Sequence, residues 1–253
     1  MNRIRISISS LILVGLLAVG LVAPAAATSR YDPAVQARAT QELAKKEQFR
    51  NVQAATEDGI VTLTGTVDLY QQKLDAAKKI KKLKDVQGVR NLIEVAGKDV
   101  PDATLAAQLG RKIYYDRLGY YDNAFNFIDV AVTDGVVTLQ GATRSDVGRD
   151  SAVAIVTRTP GVKDVINDVK VLPVSGFDDQ IRLRTLRAIY RDPALSRYAV
   201  DPARPIRIIV DNGNVSLYGV VGSKMDKQLA GMRANGVFGA FSVQNNLEVA
   251  NQS

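Results

Sequence analysis

Three times along this chain the same eight-residue phrase occurs, and that repetition limits the possible folds more than any other feature. Asp58-Gly59-Ile60-Val61-Thr62-Leu63-Thr64-Gly65 returns as Asp134-Gly135-Val136-Val137-Thr138-Leu139-Gln140-Gly141 and again as Asn212-Gly213-Asn214-Val215-Ser216-Leu217-Tyr218-Gly219. In every copy an Asn stands 26 residues beyond the last Gly of the phrase: Asn91, Asn167 and Asn245. A spacing held through three copies means three examples of one small folded unit.

The residues around the phrase give the unit its elements. Ahead of each Asp-Gly or Asn-Gly runs an alternating series: Val52, Ala54, Thr56, then Ile128, Val130, Val132, then Ile206, Ile208, Val210. Period two marks a strand with one buried face. The dipeptide supports the positive φ of a tight hairpin turn, and the returning strand alternates through Val61 and Leu63 or their counterparts. Beyond the hairpin the period becomes helical. The spacing places Ala76, Ala77, Ile80 and Leu83 on one face, as it does Ala152, Ile155, Val156 and Thr159, and Met225, Leu229 and Met232. A third strand is predicted over 89–95, 165–171 and 243–249.

A helix also precedes each hairpin, carried by Val35, Ala39 and Leu43, by Leu105, Leu109 and Ile113, and by Ile181, Thr185 and Ile189. The distance from its last core position to the turn Gly grows from 16 to 22 to 24 residues, so copies two and three hold longer loops. The predicted fold class is α+β: three tandem α-β-β-α-β units, each a three-stranded mixed sheet with two helices on one face. They span 32–97, 102–173 and 177–250, joined by short polar linkers. About 70 residues suffice for a small independent core.

Composition then narrows the chemistry. The chain has no Cys and no His, which removes disulfides, thiolate nucleophiles, His-ligated zinc and imidazole acid–base catalysis. Its start reads as an export leader: Arg3 and Arg5, an apolar run from Leu11 to Val22, and the small residues Ala25-Ala26-Ala27. Cleavage after Ala27, leaving residues 1–27 behind, implies a periplasmic location. The alternative is an uncleaved anchor, although Ser7, Ser9 and Ser10 interrupt the run that would need about 20 apolar residues to span a bilayer. The full chain carries +7, and losing Arg3 and Arg5 with no acids leaves +5. That balance suits anionic phospholipid or polysaccharide, whereas export argues against nucleic acid.

The Asp-Gly-x-Val-x-Leu-x-Gly hairpin, the amphipathic helix after it and the closing Pro-Gly-Val-x-x-Val-x-Asn segment together resemble the BON domain family, an envelope module of bacteria known from osmotically inducible periplasmic proteins. Copy two carries Pro160, Gly161, Val162, Val165 and Asn167. Copy one puts Asp85 where Gly161 stands, and copy three has Ala240 at the place of Val162 with an extra Gly236-Val237-Phe238 just before it. The resemblance implies attachment to phospholipid membranes or interaction with other proteins, and no catalysis. Gly59, Gly65, Gly135, Gly141, Gly213 and Gly219 are expected to be structural turn residues.

Three surfaces are candidates for binding. Lys78, Lys79, Lys81 and Lys82 cover the helix face opposite Ala76, Ile80 and Leu83, suited to anionic lipid or simply to solvent. Arg111, Tyr114 and Tyr115 point away from the first helix core of copy two, with Tyr120 and Tyr121 following. Tyr beside Arg fits a membrane interface or packing between copies. Arg184, Arg187 and Arg191 share one side of the matching helix in copy three, where the guanidinium fork suits phosphate or salt bridges to a neighbouring copy.

The acids propose no site. Asp58 and Asp134 form turns, and Asp178-Asp179 adjoin a helix N-terminus, where negative charge is favourable. No converging carboxylates, metal ligands or phosphate loops are spaced for catalysis, so no enzyme activity, cofactor, metal or small-molecule substrate is expected. The function expected is a non-enzymatic envelope protein that binds an anionic phospholipid membrane surface in osmotic or envelope stress. The alternative is a scaffold that docks envelope proteins without touching lipid.

Overall fold

The computed structural model describes residues 32–117, 123–200 and 205–250. The segment expected to be an export leader, residues 1–27, and Tyr120 and Tyr121 lie outside the described residues. Unit 1 runs α1 (Asp32–Ala44), β1 (Val52–Glu57), β2 (Ile60–Val67), α2 (Tyr70–Ile80), β3 (Gly88–Asn91) and β4 (Glu94–Val95). Unit 2 follows with α3 (Asp102–Lys112), β5 (Phe127–Thr133), β6 (Val136–Thr143), α4 (Asp146–Thr157) and β7 (Asp164–Val171). Unit 3 contains α5 (Gly176–Tyr190), β8 (Arg207–Asp211), β9 (Asn214–Tyr218), β10 (Val220–Val221), α6 (Lys224–Asn235), β11 (Ser242–Asn245) and β12 (Glu248–Val249).

Each sheet is mixed because its connections are of two kinds. The tight hairpin makes β1 antiparallel to β2, and the helical crossover returns the chain so that β3 runs parallel to β2. Units 2 and 3 repeat the arrangement, with β6 and β9 central. Both turn residues adopt positive φ in every copy (Asp58 49° and Gly59 75°, Asp134 53° and Gly135 78°, Asn212 50° and Gly213 79°). That is the type I′ geometry the dipeptides call for.

Gly65 and Gly141 are not turn residues. They lie inside β2 and β6, opposite Val52 and Ile128, with φ of 103° and 115°. A Cβ on Gly65 would sit 1.9 Å from the carbonyl oxygen of Asn51, and one on Gly141 would sit 2.1 Å from that of Phe127. Gly219, between β9 and β10, has φ of 125°. The second Gly of each phrase therefore marks a close backbone approach within the sheet.

The repeated Asn ties the third strand to the preceding helix. Asn91 Nδ2 donates to the Lys73 carbonyl (2.8 Å), and Asn245 Nδ2 donates to that of Lys227 (2.7 Å). The Asn side-chain oxygen then accepts from the amide two residues on, at Ile93, Val169 and Leu247.

Every unit owns a core. Val35, Ala39 and Leu43, then Leu105, Leu109 and Ile113, and Ile181, Thr185 and Ile189 are all buried. They pack with the inward side chains of the central strand and with Ala76 and Ile80, or Ala152 and Val156. The helix of copy three departs from expectation. Met225 and Met232 are 75% and 64% exposed, and Asp226, Ala230 and Ala234 turn inward. Ser223 accepts from the Asp226 amide and so fixes where the helix starts. That start sets Ala230 and Ala234 at the places of Ala152 and Val156.

Nor are Gly236-Val237-Phe238 an insertion. The left-handed residues Asp85, Gly161 and Gly239 (φ 68°, 95° and 98°) each stand 26 positions after the turn Gly, so the three copies match one for one. Asp85 tolerates that φ better than most residues, and its carboxylate pairs with Arg38 at 3.1 Å.

Neighbouring units touch. Tyr70 of unit 1 packs against the core of unit 2, Thr157 Oγ1 donates to Gln71 Oε1 (2.7 Å), and Lys163 pairs with Asp99 (3.2 Å). The contact between units 2 and 3 reaches deeper. Phe125 joins the core of unit 3, and Phe127 stacks on Tyr218 with ring centroids 4.1 Å apart. Arg144 pairs with Asp179 at 3.1 Å, and Lys170 pairs with Asp211. In consequence β8 is buried on both sides, Arg207 and Ile209 as well as Ile208 and Val210.

Candidate functional site

The hairpin turn of each unit is clasped by a carboxylate from the start of its first helix. Asp32 accepts from the Asp58 and Gly59 amides (2.8 and 2.9 Å). Asp102 accepts from Asp134 and Gly135 (2.8 and 3.0 Å), and Asp178 from Asn212 and Gly213 (3.1 and 2.8 Å). The sequence held a signal for this role: in every copy an Asp stands three residues before the first buried helix position. These acids hold the hairpin turns against the first helix of each unit. A hollow of about 720 Å³ alongside α1 is lined by Asp32, Pro33, Gln36, Ala37, Thr40 and Thr56 among others, and brings no titratable group to Asp32.

Tyr114 is not an outward ring. Its hydroxyl accepts from the Ile128 amide (2.7 Å) and donates to the Ile128 carbonyl (3.0 Å), and burial pushes its pKa up. The Arg207 guanidinium of unit 3 lies 3.6 Å from its ring centroid. Tyr190 repeats the role in unit 3, donating to the Ile206 carbonyl at 2.8 Å. Tyr following the last core position of the first helix was the sequence mark of this staple. Tyr115 is 58% exposed and Arg111 is exposed.

The lysine face is narrower than the sequence suggested. Lys78, Lys81 and Lys82 are exposed, the last two beyond the end of α2. Lys79 is half-buried and bound to Glu42 Oε2 at 2.8 Å. Hydrogen bonds from Lys45 and Lys79 hold the Glu42 carboxyl down at about 2, against 4.5 ordinarily. A carboxyl depressed in the fold stabilises it above the ordinary value, and that contribution is lost as pH falls from about 4.5 towards 2. An NMR titration should therefore find the Glu42 midpoint near 2, and Lys79→Met should move it upward; a midpoint near 4.5 in the parent would exclude the pair.

Arg184 and Arg187 on α5, with Arg191 capping its C-terminal end, form an exposed stripe. With Ile181, Thr185 and Ile189 drawn into the core, helical periodicity turns these three to the far side. Among the described residues neither Arg187 nor Arg191 has a carboxylate partner. They line a hollow of about 320 Å³ with Ala188, Asp192, Pro193 and Arg233. Arg233 donates to Asp192 (2.9 Å), and that bond holds the Asp192 carboxyl below its usual range. The hollow is thus lined by three guanidinium groups and one carboxylate, which leaves it positively charged. The lysines, the Arg111–Tyr115 pair and the arginine stripe lie on three different units. Unit 3 also carries three rings that no sequence pattern marked as a surface, Phe177, Phe238 and Phe241, which are 47%, 85% and 73% exposed. Among the described residues no helix is long and apolar enough to cross a membrane.

Three small α+β modules in tandem, with cationic faces, define the class of protein. Residues 31–97, 101–173 and 178–251 each match the BON domain, and the chain belongs to the BON-domain family. It is 29% identical over 147 residues to an uncharacterized protein in the gshII 5′ region of Anaplasma centrale, covering 55% of this chain and 94% of the relative. It is 26% identical over 148 residues to the osmotically-inducible protein Y of Escherichia coli strain K12, covering 55% and 72%. A solved chain of CdsD, a structural protein of the type III secretion system of Chlamydia trachomatis, is 13% identical over 83% of this chain and 91% of its own. Its TM-score is 0.25, too low to inform the fold.

Proposed function

We propose that this chain is an exported, periplasmic, non-enzymatic protein that binds anionic phospholipid surfaces during osmotic or envelope stress. The observation that carries the reading is the exposed, carboxylate-free pair Arg187 and Arg191 beside Arg184 on α5, opening onto the hollow that Arg233 shares. Guanidinium forks grip phosphate through two hydrogen bonds at once. Lys78, Lys81 and Lys82 add a second cationic contact on unit 1, and Arg111 with Tyr115 a third on unit 2. Family membership, the leader and the name of the Escherichia coli relative support the envelope setting. The lack of Cys and His supports a role without catalysis.

Co-sedimentation with phosphatidylglycerol-containing vesicles, set against pure phosphatidylcholine, tests it. Each cation near an anionic surface contributes about 1 kcal/mol. Arg187→Glu with Arg191→Glu should therefore weaken binding by roughly thirtyfold or more, and raised salt should weaken the parent too. Lys78→Glu, Lys81→Glu and Lys82→Glu together form the parallel test for unit 1. A parent that ignores anionic vesicles would overturn the proposal.

A further inference from the structure

We infer that the loop between α6 and β11 of unit 3 is an apolar tip that inserts into the anionic lipid interface, with Phe238 and Phe241 as the inserted side chains. This rests on the membrane reading above and adds to it the part of the molecule that enters the bilayer.

The first observation is internal to the repeat. The three loops share one backbone: the amides of Gln87, Lys163 and Phe241 each donate to the carbonyl of the turn Gly at 2.9 Å, and the residue two before each is left-handed. Units 1 and 2 build that loop with Lys84 and Gln87, or Pro160 and Lys163, where unit 3 has Phe238 and Phe241. The fold therefore does not need an aromatic at either position. Yet Phe238 and Phe241 stand 85% and 73% in solvent, an apolar exposure that a solitary soluble domain gains nothing from. Phe177, at the start of α5, adds a third ring 5.7 Å from that of Phe241.

The second observation is charge, and it selects the occupant. In unit 1 the equivalent loop is neutralised, because Asp85 pairs with Arg38. In unit 3 that position is Gly239, and Arg184, which takes the place of Arg38, donates instead to two neutral oxygens. These are the Phe238 carbonyl (3.1 Å) and Gln180 Oε1 (3.2 Å). Its guanidinium lies 5.7 Å from the Phe238 ring centroid. A protruding pair of rings with an uncompensated cation at its base, continuous with Arg187 and Arg191 along α5, matches a surface that is anionic outside and apolar just beneath. A lipid interface is that surface.

The chain has no Trp, so Phe238→Trp supplies a single tryptophan, excited selectively over the tyrosines, at the tip. With phosphatidylglycerol-containing vesicles its emission should shift to the blue and be quenched by brominated acyl chains. Phe238→Ser with Phe241→Gln should bind the same vesicles about tenfold or more weakly and melt as the parent does, since unit 1 carries Gln at that place. If the parent binds but the Trp stays water-like and the double variant binds equally well, the tip is wrong and the cationic surface stands. Failure of the parent to bind vesicles removes both. Self-association of the parent that the double variant loses, without any effect on vesicle binding, would assign the rings to a second copy and overturn the tip.

Discussion

Gly65→Ala or Gly141→Ala is expected to unfold the unit that carries it. Both residues have φ beyond 100°, in a region open almost only to Gly, which costs another residue about 1–3 kcal/mol. The clash is worse than the strain. The new methyl would lie 1.9 Å from the Asn51 carbonyl oxygen or 2.1 Å from that of Phe127, and neither atom is the end of a flexible side chain. Relief requires the hairpin strands to separate, which breaks the β1–β2 or β5–β6 ladder. A loss of about 4 kcal/mol or more follows, at the extreme of single substitutions. At Gly219 the nearest carbonyl oxygen, of Pro205, is 2.8 Å away, so Gly219→Ala should be milder. Thermal melting followed by amide NMR resolves the units. Parent-like melting of Gly65→Ala would refute the close-approach account.

Removing a clasp should come next in size. Asp178→Ala deletes two hydrogen bonds to the amides of Asn212 and Gly213, in a site where the Asp is 1% exposed. The stranded donors belong to residues held at positive φ, so the turn loses the partner that compensates its backbone. Hydrogen bonds to a charged acceptor contribute about 1.5–3 kcal/mol each and are costly to leave unmade. A loss of about 3 kcal/mol is expected, read as a lower urea midpoint with faster hydrogen exchange at the Gly213 amide. Asp32→Ala should behave similarly. Asp102→Ala should cost less, because its turn is more open to water. Unchanged exchange at Gly213 in Asp178→Ala would show that the carboxylate is dispensable.

How much of this was legible in the sequence depended on whether a side chain answers to its own element or to a distant one. The hairpins and the buried faces of α1, α3 and α5 are local matters, set by period and turn chemistry, and they stand where the residues placed them. The face of α6 misled because Met225 and Met232 outweigh Ala230 and Ala234 in apolar content, while the cap at Ser223 decides which side turns inward. Burial of Arg207 and Ile209 could not be read from β8, since what covers them is unit 2. Tyr114 looked interfacial for the same reason: its partners, Ile128 and Arg207, are 14 and 93 positions away. The carboxylates that begin each first helix were legible only as helix-end charges. Their reach to the turn depends on how the helix lies across the sheet. Phe238 reads as part of an insertion in the sequence because the left-handed position it precedes is a backbone property that Asp85 conceals in copy one.

The residence of Phe125 within the interior of unit 3 makes the last two repeats partners in a way the first is not. Part of what seals the third module is supplied from the second, so any change that loosens one is transmitted to the other. The chain is thus, in mechanical terms, a first module held at its rim followed by a fused pair, and the cationic helix that opens the third module is braced by the neighbour that precedes it.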